Sequence, residues 1–225
     1  MLRAYISFHQ ERGFEPASII EGFKELEKYC EKVDFSEYGI KWASRQNLLG
    51  GTYADVVLSR HSIRQFSQSE ICIEDVQKAV RLAMKAPSAC NRQSCRVYLY
   101  TDKEKNLALG DLIAGNTGFK EIVPNYLVVT SAQSSFYDSF ERNQVYVDGG
   151  IFTMALIEAL HYYGIGSCVL QNGEFRSRNK QFKNICGNIP EDEKIILFIA
   201  IGYYPEQFTY AVSHRKELSD ILIIE

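Results

Sequence analysis

Arg60 and Arg64 stand four residues apart in the run RHSIRQF, with His61 and the Ser62 hydroxyl between them. Guanidinium groups offer fixed, charge-assisted donors to anionic oxygen, so two of them around a hydroxyl can converge on one phosphate and the polar tail attached to it. A solvated basic stretch is the plainer alternative, because most charge runs face water. A second useful stretch is Pro87, Ser88, Ala89, Cys90 and Asn91. Small side chains there let backbone approach a ligand closely, and the Asn91 amide both donates and accepts. The plainer alternative is a turn that stops a helix. Near the C-terminus, Arg215 and Lys216 in SHRKEL add two further cations.

Other chemistries find little support. The chain has 25 Lys plus Arg against 28 Asp plus Glu, a formal net charge of −3, which lacks the basic excess of a nucleic-acid binder. Its six cysteines lack paired CxxC spacing, so we expect reduced thiols and no metal site. Gly164 and Gly166 begin a GxG that precedes a strand and lacks a third glycine, unlike a dinucleotide-binding turn. His161, within an apolar stretch, reads as a satisfied core histidine. There is no GxSxG elbow and no P-loop. The N-terminus meets His9 and charged residues too early for a signal peptide, and no apolar run approaches the ~20 residues that span a bilayer, so a cytoplasmic protein without membrane contact is expected.

The elements that must position these residues form a leader and an α/β body. At 225 residues and 46% hydrophobic content, the chain can bury a substantial core. Ile19, Ile20, Phe23, Leu26 and Tyr29 share one face of a helix between Pro16 and about Lys32, whereas residues 33–53 show no clear period. Ile73, Val76, Ala79, Val80, Ala83 and Met84 predict a helix from Ile73 to Ala86 that delivers the loop at Pro87. Residues 96–101 and 125–131 read as strands, with a short helix between them over 104–114. Asp148, Gly149 and Gly150 lead into a segment apolar nearly all round, predicted to be a helix buried on every side, in a core or a subunit interface. A strand at 168–171, a helix at 176–186 and a central apolar strand at 195–204 follow. Leu218 to Ile224 is predicted as a further strand pairing with a sheet edge, in this subunit or another.

Five motifs stand in order: RHSIRQF, PSACNRQ, GIGSC, IPEDEKIILFIAIGYYPE and SHRKEL. In this order they resemble the nitroreductase family of FMN-dependent flavoproteins, over roughly residues 55–225, with residues 1–54 as an N-terminal helical or irregular extension. The resemblance implies an α+β fold, a central mixed or antiparallel β-sheet flanked by helices, in an intertwined homodimer with FMN sites at the interface. It implies that Arg60, His61, Ser62 and Arg64 contact the flavin, the first of them at the phosphate and Arg64 toward the pyrimidine edge. Pro87, Ser88, Ala89 and Asn91 match the loop that reaches the flavin from the partner subunit. Leu170, Gln171 and Asn172 match a stretch whose backbone N–H faces the flavin, and Arg215, with Lys216 beside it, matches a phosphate contact. Gln93 matches too, but Ser94 and Cys95 replace the Pro-Trp that commonly follows it, which alters the neighbouring pocket.

The implied activity is hydride transfer from NADH or NADPH through bound FMN to an oxidised small-molecule acceptor such as a nitroaromatic or quinone. The flavin carries the chemistry; no catalytic side chain and no metal are called for. A cation near the pyrimidine edge favours negative charge on the reduced ring, in keeping with Arg64. Because one fold hosts many reactions, a different redox reaction (dehydrogenation or dehalogenation) and a non-catalytic flavin-binding or regulatory dimer stand as alternatives.

Overall fold

The computed structural model describes residues 6, 10, 17–27, 39–48, 51–172 and 176–224. The chain divides into two units: residues 43–208, and residues 1–42 together with 209–225. The helices are α1 (Ala17–Glu27), α2 (Tyr53–Ser59), α3 (Ile73–Ala83), α4 (Lys103–Leu112), α5 (Gln144–Tyr162) and α6 (Arg176–Cys186). The strands are β1 (Gly39–Ser44), β2 (Cys95–Tyr100), β3 (Asn125–Ala132), β4 (Ile165–Gln171), β5 (Glu193–Tyr203) and β6 (Gln207–Val212). β1 and β6 form a two-stranded sheet, and the larger unit is built on a four-stranded sheet in the order β2-β3-β5-β4.

All three ladders of the larger sheet are antiparallel. Its centre is β3 and β5, and every residue of β3 is buried, as its β-branched content leads one to expect. One sheet face carries Leu127, Val129, Ile165, Ile199 and Ile201 against Val76, Ala79 and Ala83 of α3 and Leu156, Ile157 and Leu160 of α5. On the other face Phe198 meets Phe182 of α6 with ring centroids 4.4 Å apart. Each fully buried side chain of this size contributes about 1.5–3 kcal/mol. The result is an α+β fold with helices on both sides of one antiparallel sheet.

α5 crosses β5 closely at Gly149. A Cβ there would lie 2.9 Å from Ile196 Cγ1, so only glycine allows the approach without displacement. At the same place the β3–β5 register shifts: Val129 opposes Leu197 and Thr130 opposes Ile195, leaving Ile196 unopposed. Such a bulge re-aims a side chain, here toward the helix that the glycine admits.

Three expectations need correction. α3 ends at Ala83, not Ala86, because residues 84–86 turn: Lys85 N–H donates to Leu82 O and Ala86 N–H to Ala83 O. Within one chain α5 is not buried on every side; Val147, Ile151 and Met154 are 41–50% exposed on one stripe, while Val145, Gly149, Leu156 and Leu160 face the core. Leu218 to Ile224 forms no strand: Leu218–Asp220 is a 3₁₀ turn, and Ile221 and Leu222 N–H both donate to Leu218 O. Local turn bonds satisfy that backbone, leaving its apolar side chains exposed. Of the leader helix, Ala17–Glu27 is helical as expected, and its proposed continuation to Lys32 lies outside the described residues.

Candidate functional site

The RHSIR run is placed by the end of a short helix. α2 begins with a capping box, in which Asp55 N–H donates to Thr52 Oγ1 and Thr52 N–H donates to Asp55 Oδ2. It stops at Ser59 because Arg60 turns to extended backbone, φ −72° and ψ 125°. The chain then runs alongside β4. Ser62 makes a parallel bridge with Ser167, and Ile63 N–H donates to Ser167 O at 2.8 Å. Ile63 is fully buried and anchors the segment, while Ser62 and Arg64 on either side are exposed, the period of an edge strand.

Arg60 is half-buried, and its Nε is buried without a hydrogen-bond partner. Among the described residues neither Arg60 nor Arg64 forms an ion pair. A partly desolvated guanidinium with an unused donor favours an incoming anion, since a buried charge is costly until paired. Arg64 lies 6.0 Å from the centre of the Phe119 ring. It also approaches Cys168 of β4: burial pushes the Cys168 thiol up, and the Arg64 charge opposes that shift. His61 is half-buried beside Arg60, and both charges bear on His161 beneath them.

β4 ends in the other candidate stretch. Leu170 is buried and can offer only backbone, and Gln171 is exposed. Asn172 Nδ2 donates to Ile195 O and to Asn179 Oδ1, both at 3.0 Å, while its Oδ1 is buried and unpartnered. Gln171 and Asn172 line a cavity of about 430 Å³ with Tyr146, Val169 and residues 195–197. Thus the 60–64 segment meets β4 at Ser167, and the same strand carries on to Leu170 and Gln171.

Pro87 and Ser88 instead line a separate cavity of about 610 Å³, walled by α3, β2 and Phe152 of α5. Here the loop backbone is unusual: Cys90, Asn91 and Gln93 all have φ between 50° and 55°. Left-handed conformations at non-glycine residues cost about 1–3 kcal/mol each and persist only where surroundings hold them. Ser88 Oγ accepts from Gln93 N–H at 3.0 Å, and Ala89 N–H donates to the buried Asp148 carboxylate at 3.1 Å. Arg92 clamps the far side, 2.6 Å from Glu141 Oε1 and 5.3 Å from the Tyr137 ring centre. Burial and the Glu141 contact thus fix a loop whose Asn91 side chain is exposed. Sequence reading assigned Asp148 no role in the site; its one signal is an acidic residue in the second turn of a largely apolar helix.

Arg215 and Lys216 lie in the other unit, exposed, with Arg215 NH1 donating to Ser213 O at 2.9 Å. His161 is the satisfied core histidine that was expected, bonded to Ser59 and Tyr204. The five described cysteines, Cys72, Cys90, Cys95, Cys168 and Cys186, are free thiols. Among the described residues no helix is long and apolar enough to cross a membrane.

The sequence profile of the nitroreductase family matches residues 57–129, which hold both the RHSIR run and the left-handed loop. Over that stretch, about a third of its length, the chain is similar to the nitroreductase family. An Archaeoglobus fulgidus protein with the provisional name NADH dehydrogenase/NAD(P)H nitroreductase is 27% identical over 150 residues, 66% of this chain and 83% of that protein. A CLA biosynthesis enone reductase of Lactiplantibacillus plantarum is 34% identical over 119 residues, 47% of this chain and half of that enzyme. Among solved structures, a provisionally named nitroreductase from Desulfovibrio desulfuricans, crystallised with FMN, shares the fold. Its TM-score is 0.65 at 18% identity, covering 78% of this chain and 98% of that one. The nitroreductase fold expected from the five motifs is therefore the fold observed.

Proposed function

We propose that this chain is an FMN-dependent oxidoreductase that takes hydride from NADH or NADPH and reduces a small oxidised acceptor, such as a nitroaromatic or a quinone. The observation that carries this reading is the two arginines of the 60–64 segment, which form no ion pair among the described residues, with Arg60 Nε buried and unpartnered, inside the family-matched region. Those residues suit a flavin mononucleotide: cations and a hydroxyl for phosphate, and unpartnered amide oxygen at Asn172 for a polar ligand edge. In this reading Arg60, His61 and Ser62 hold the phosphate end and Arg64 lies toward the ring, with backbone of Leu170, Gln171 and Asn172 alongside. The resemblance to the family, and no geometry, proposes Arg215 and Lys216 as further phosphate contacts. When bound, FMN supplies the hydride-transfer chemistry. The chain's own residues bind, orient and partly exclude water, and none need act as acid or base.

A homodimer completes the reading. Within one chain, the 60–64 segment bridges to Ser167 of β4, the strand that leads on to 170–171, while Pro87 and Ser88 line a different cavity. A second copy supplying Pro87, Ser88, Ala89 and Asn91 reconciles the two. The exposed apolar stripe of Val147, Ile151 and Met154 on α5 supports such an interface, because contiguous apolar surface marks an interaction site.

The Lactiplantibacillus relative favours one second reading, in which the acceptor is an activated C=C bond conjugated to a carbonyl. Anaerobic mixing of the FMN-loaded protein with NADH or NADPH tests both. Loss of the flavin's visible band, followed by its return on adding a nitroaromatic, a quinone or an enone, supports the proposal and ranks the acceptors. Bleaching by dithionite alone would contradict it.

A further inference from the structure

Three elements of the larger unit meet at His161. Ser59, the last residue of α2, donates its hydroxyl to Asp55 O at 2.6 Å, and the same oxygen lies 2.9 Å from His161 Nε2. A serine hydroxyl has one proton, so towards the ring it must accept. His161 therefore carries its hydrogen on Nε2, and Nδ1 is the acceptor for the Tyr204 hydroxyl at 2.8 Å. One imidazole thus joins the C-terminal end of α2, the C-terminal end of α5 and the residue after β5. Tyr204 is fixed in turn by packing on Phe208, ring centres 5.1 Å apart. His161 and Tyr204 are each 1% exposed.

We propose that His161 is a positioning residue for the anion-binding end of the site, fixing the Ser59–Arg60 junction and hence the Arg60 guanidinium. The proposal rests on the FMN reading above. Arg60 follows Ser59 directly, and its charge is felt by both His161 and Tyr204, so the guanidinium lies over this buried group. The charged or titratable groups facing the imidazole are Arg60 and His61 from the segment after α2 and Tyr204 from the end of β5. Burial first, then the charges of Arg60 and His61, press the His161 imidazole down to about 4. Near neutral pH it stays uncharged and adds no repulsion to the Arg60 guanidinium. An apolar side chain of similar size would leave both the Ser59 hydroxyl and the Tyr204 hydroxyl without their buried partner.

FMN and riboflavin differ only by the phosphate, so their affinities for one protein report on that end of the site. Dissociation constants for both flavins are measured by fluorescence quenching for the full chain, His161→Phe and His161→Gln. Glutamine keeps one donor and one acceptor and cannot charge. We expect His161→Phe to bind FMN about tenfold more weakly, the scale of one charged hydrogen bond, with riboflavin changed less than about twofold. His161→Gln should recover most of the FMN affinity. Should His161→Phe not fold, Tyr204→Phe, which removes only the hydroxyl, is read in the same way. Equal weakening of both flavins, or unchanged affinity for both, would show that His161 serves stability alone and would overturn the inference. A wild-type chain that binds neither flavin would instead overturn the FMN reading beneath it.

Discussion

Replacing His161 by glutamine removes a histidine whose protonation the fold strongly resists, and its effect on stability can be worked out in advance. In the folded chain burial holds this imidazole at about 4, against 6.5 for an ordinary histidine. Between those values the unfolded chain takes up a proton that the folded chain refuses. The stability at stake is therefore fully present above pH 6.5 and is lost as the pH falls toward 4. At about 1.4 kcal/mol per pH unit, the loss is about 2 kcal/mol at pH 5 and about 3 kcal/mol by pH 4. Glutamine does not titrate, so the loss vanishes in the variant while other groups contribute equally to both proteins. Urea unfolding of the two proteins at a series of pH values from 7.5 to 4.5 measures the difference. The curves should converge relative to their separation at neutral pH, with glutamine gaining about 2 kcal/mol on the wild type by pH 5. Parallel pH dependences would refute the buried, uncharged histidine.

Three other outcomes follow from the packing and the site. Arg215→Ala should weaken FMN retention by about 1.5–3 kcal/mol, the range of a charged hydrogen bond; a fluorescence titration indistinguishable from wild type would remove Arg215 from the phosphate grip. Asp148→Ala leaves the Ala89 N–H without its buried acceptor and should cost about 1–3 kcal/mol in urea unfolding, whereas an unchanged midpoint would show that the loop holds its left-handed residues unaided. Ile151→Glu, on the exposed stripe of α5, should turn the proposed dimer into a monomer by light scattering, and a variant that keeps the wild-type mass would contradict an interface at this stripe.

Much of the framework could be read from the sequence, for identifiable reasons. β3 and β5 are runs rich in Val, Ile and Leu, and continuous apolar strands of that kind sit at the centre of a sheet. α3 shows its buried face through the spacing of Val76, Ala79 and Ala83. α5 is apolar on both faces, so periodicity could not say which face the chain leaves open. β1 was missed because its residues, with Trp42 73% exposed, show no alternation of buried and open positions. The apolar run at 218–224 looked like a strand by composition alone, but strand formation needs a partner edge and the backbone there satisfies itself in a turn. In the candidate site, RHSIR could be singled out because its residue types suit an anion directly. The left-handed backbone at Cys90, Asn91 and Gln93 was not, since no glycine announces it and the contacts that hold it come from Asp148 and Glu141, more than 40 residues away.

The central claim is that the 60–64 segment holds the phosphate of FMN, and the visible spectrum during titration with FMN tests it most directly, with wild type and Arg60→Ala side by side. The account predicts a saturable shift of the flavin band in the wild type and binding weakened by about 1.5–3 kcal/mol in the variant. No spectral change in the wild type, or equal affinity in both proteins, would contradict it.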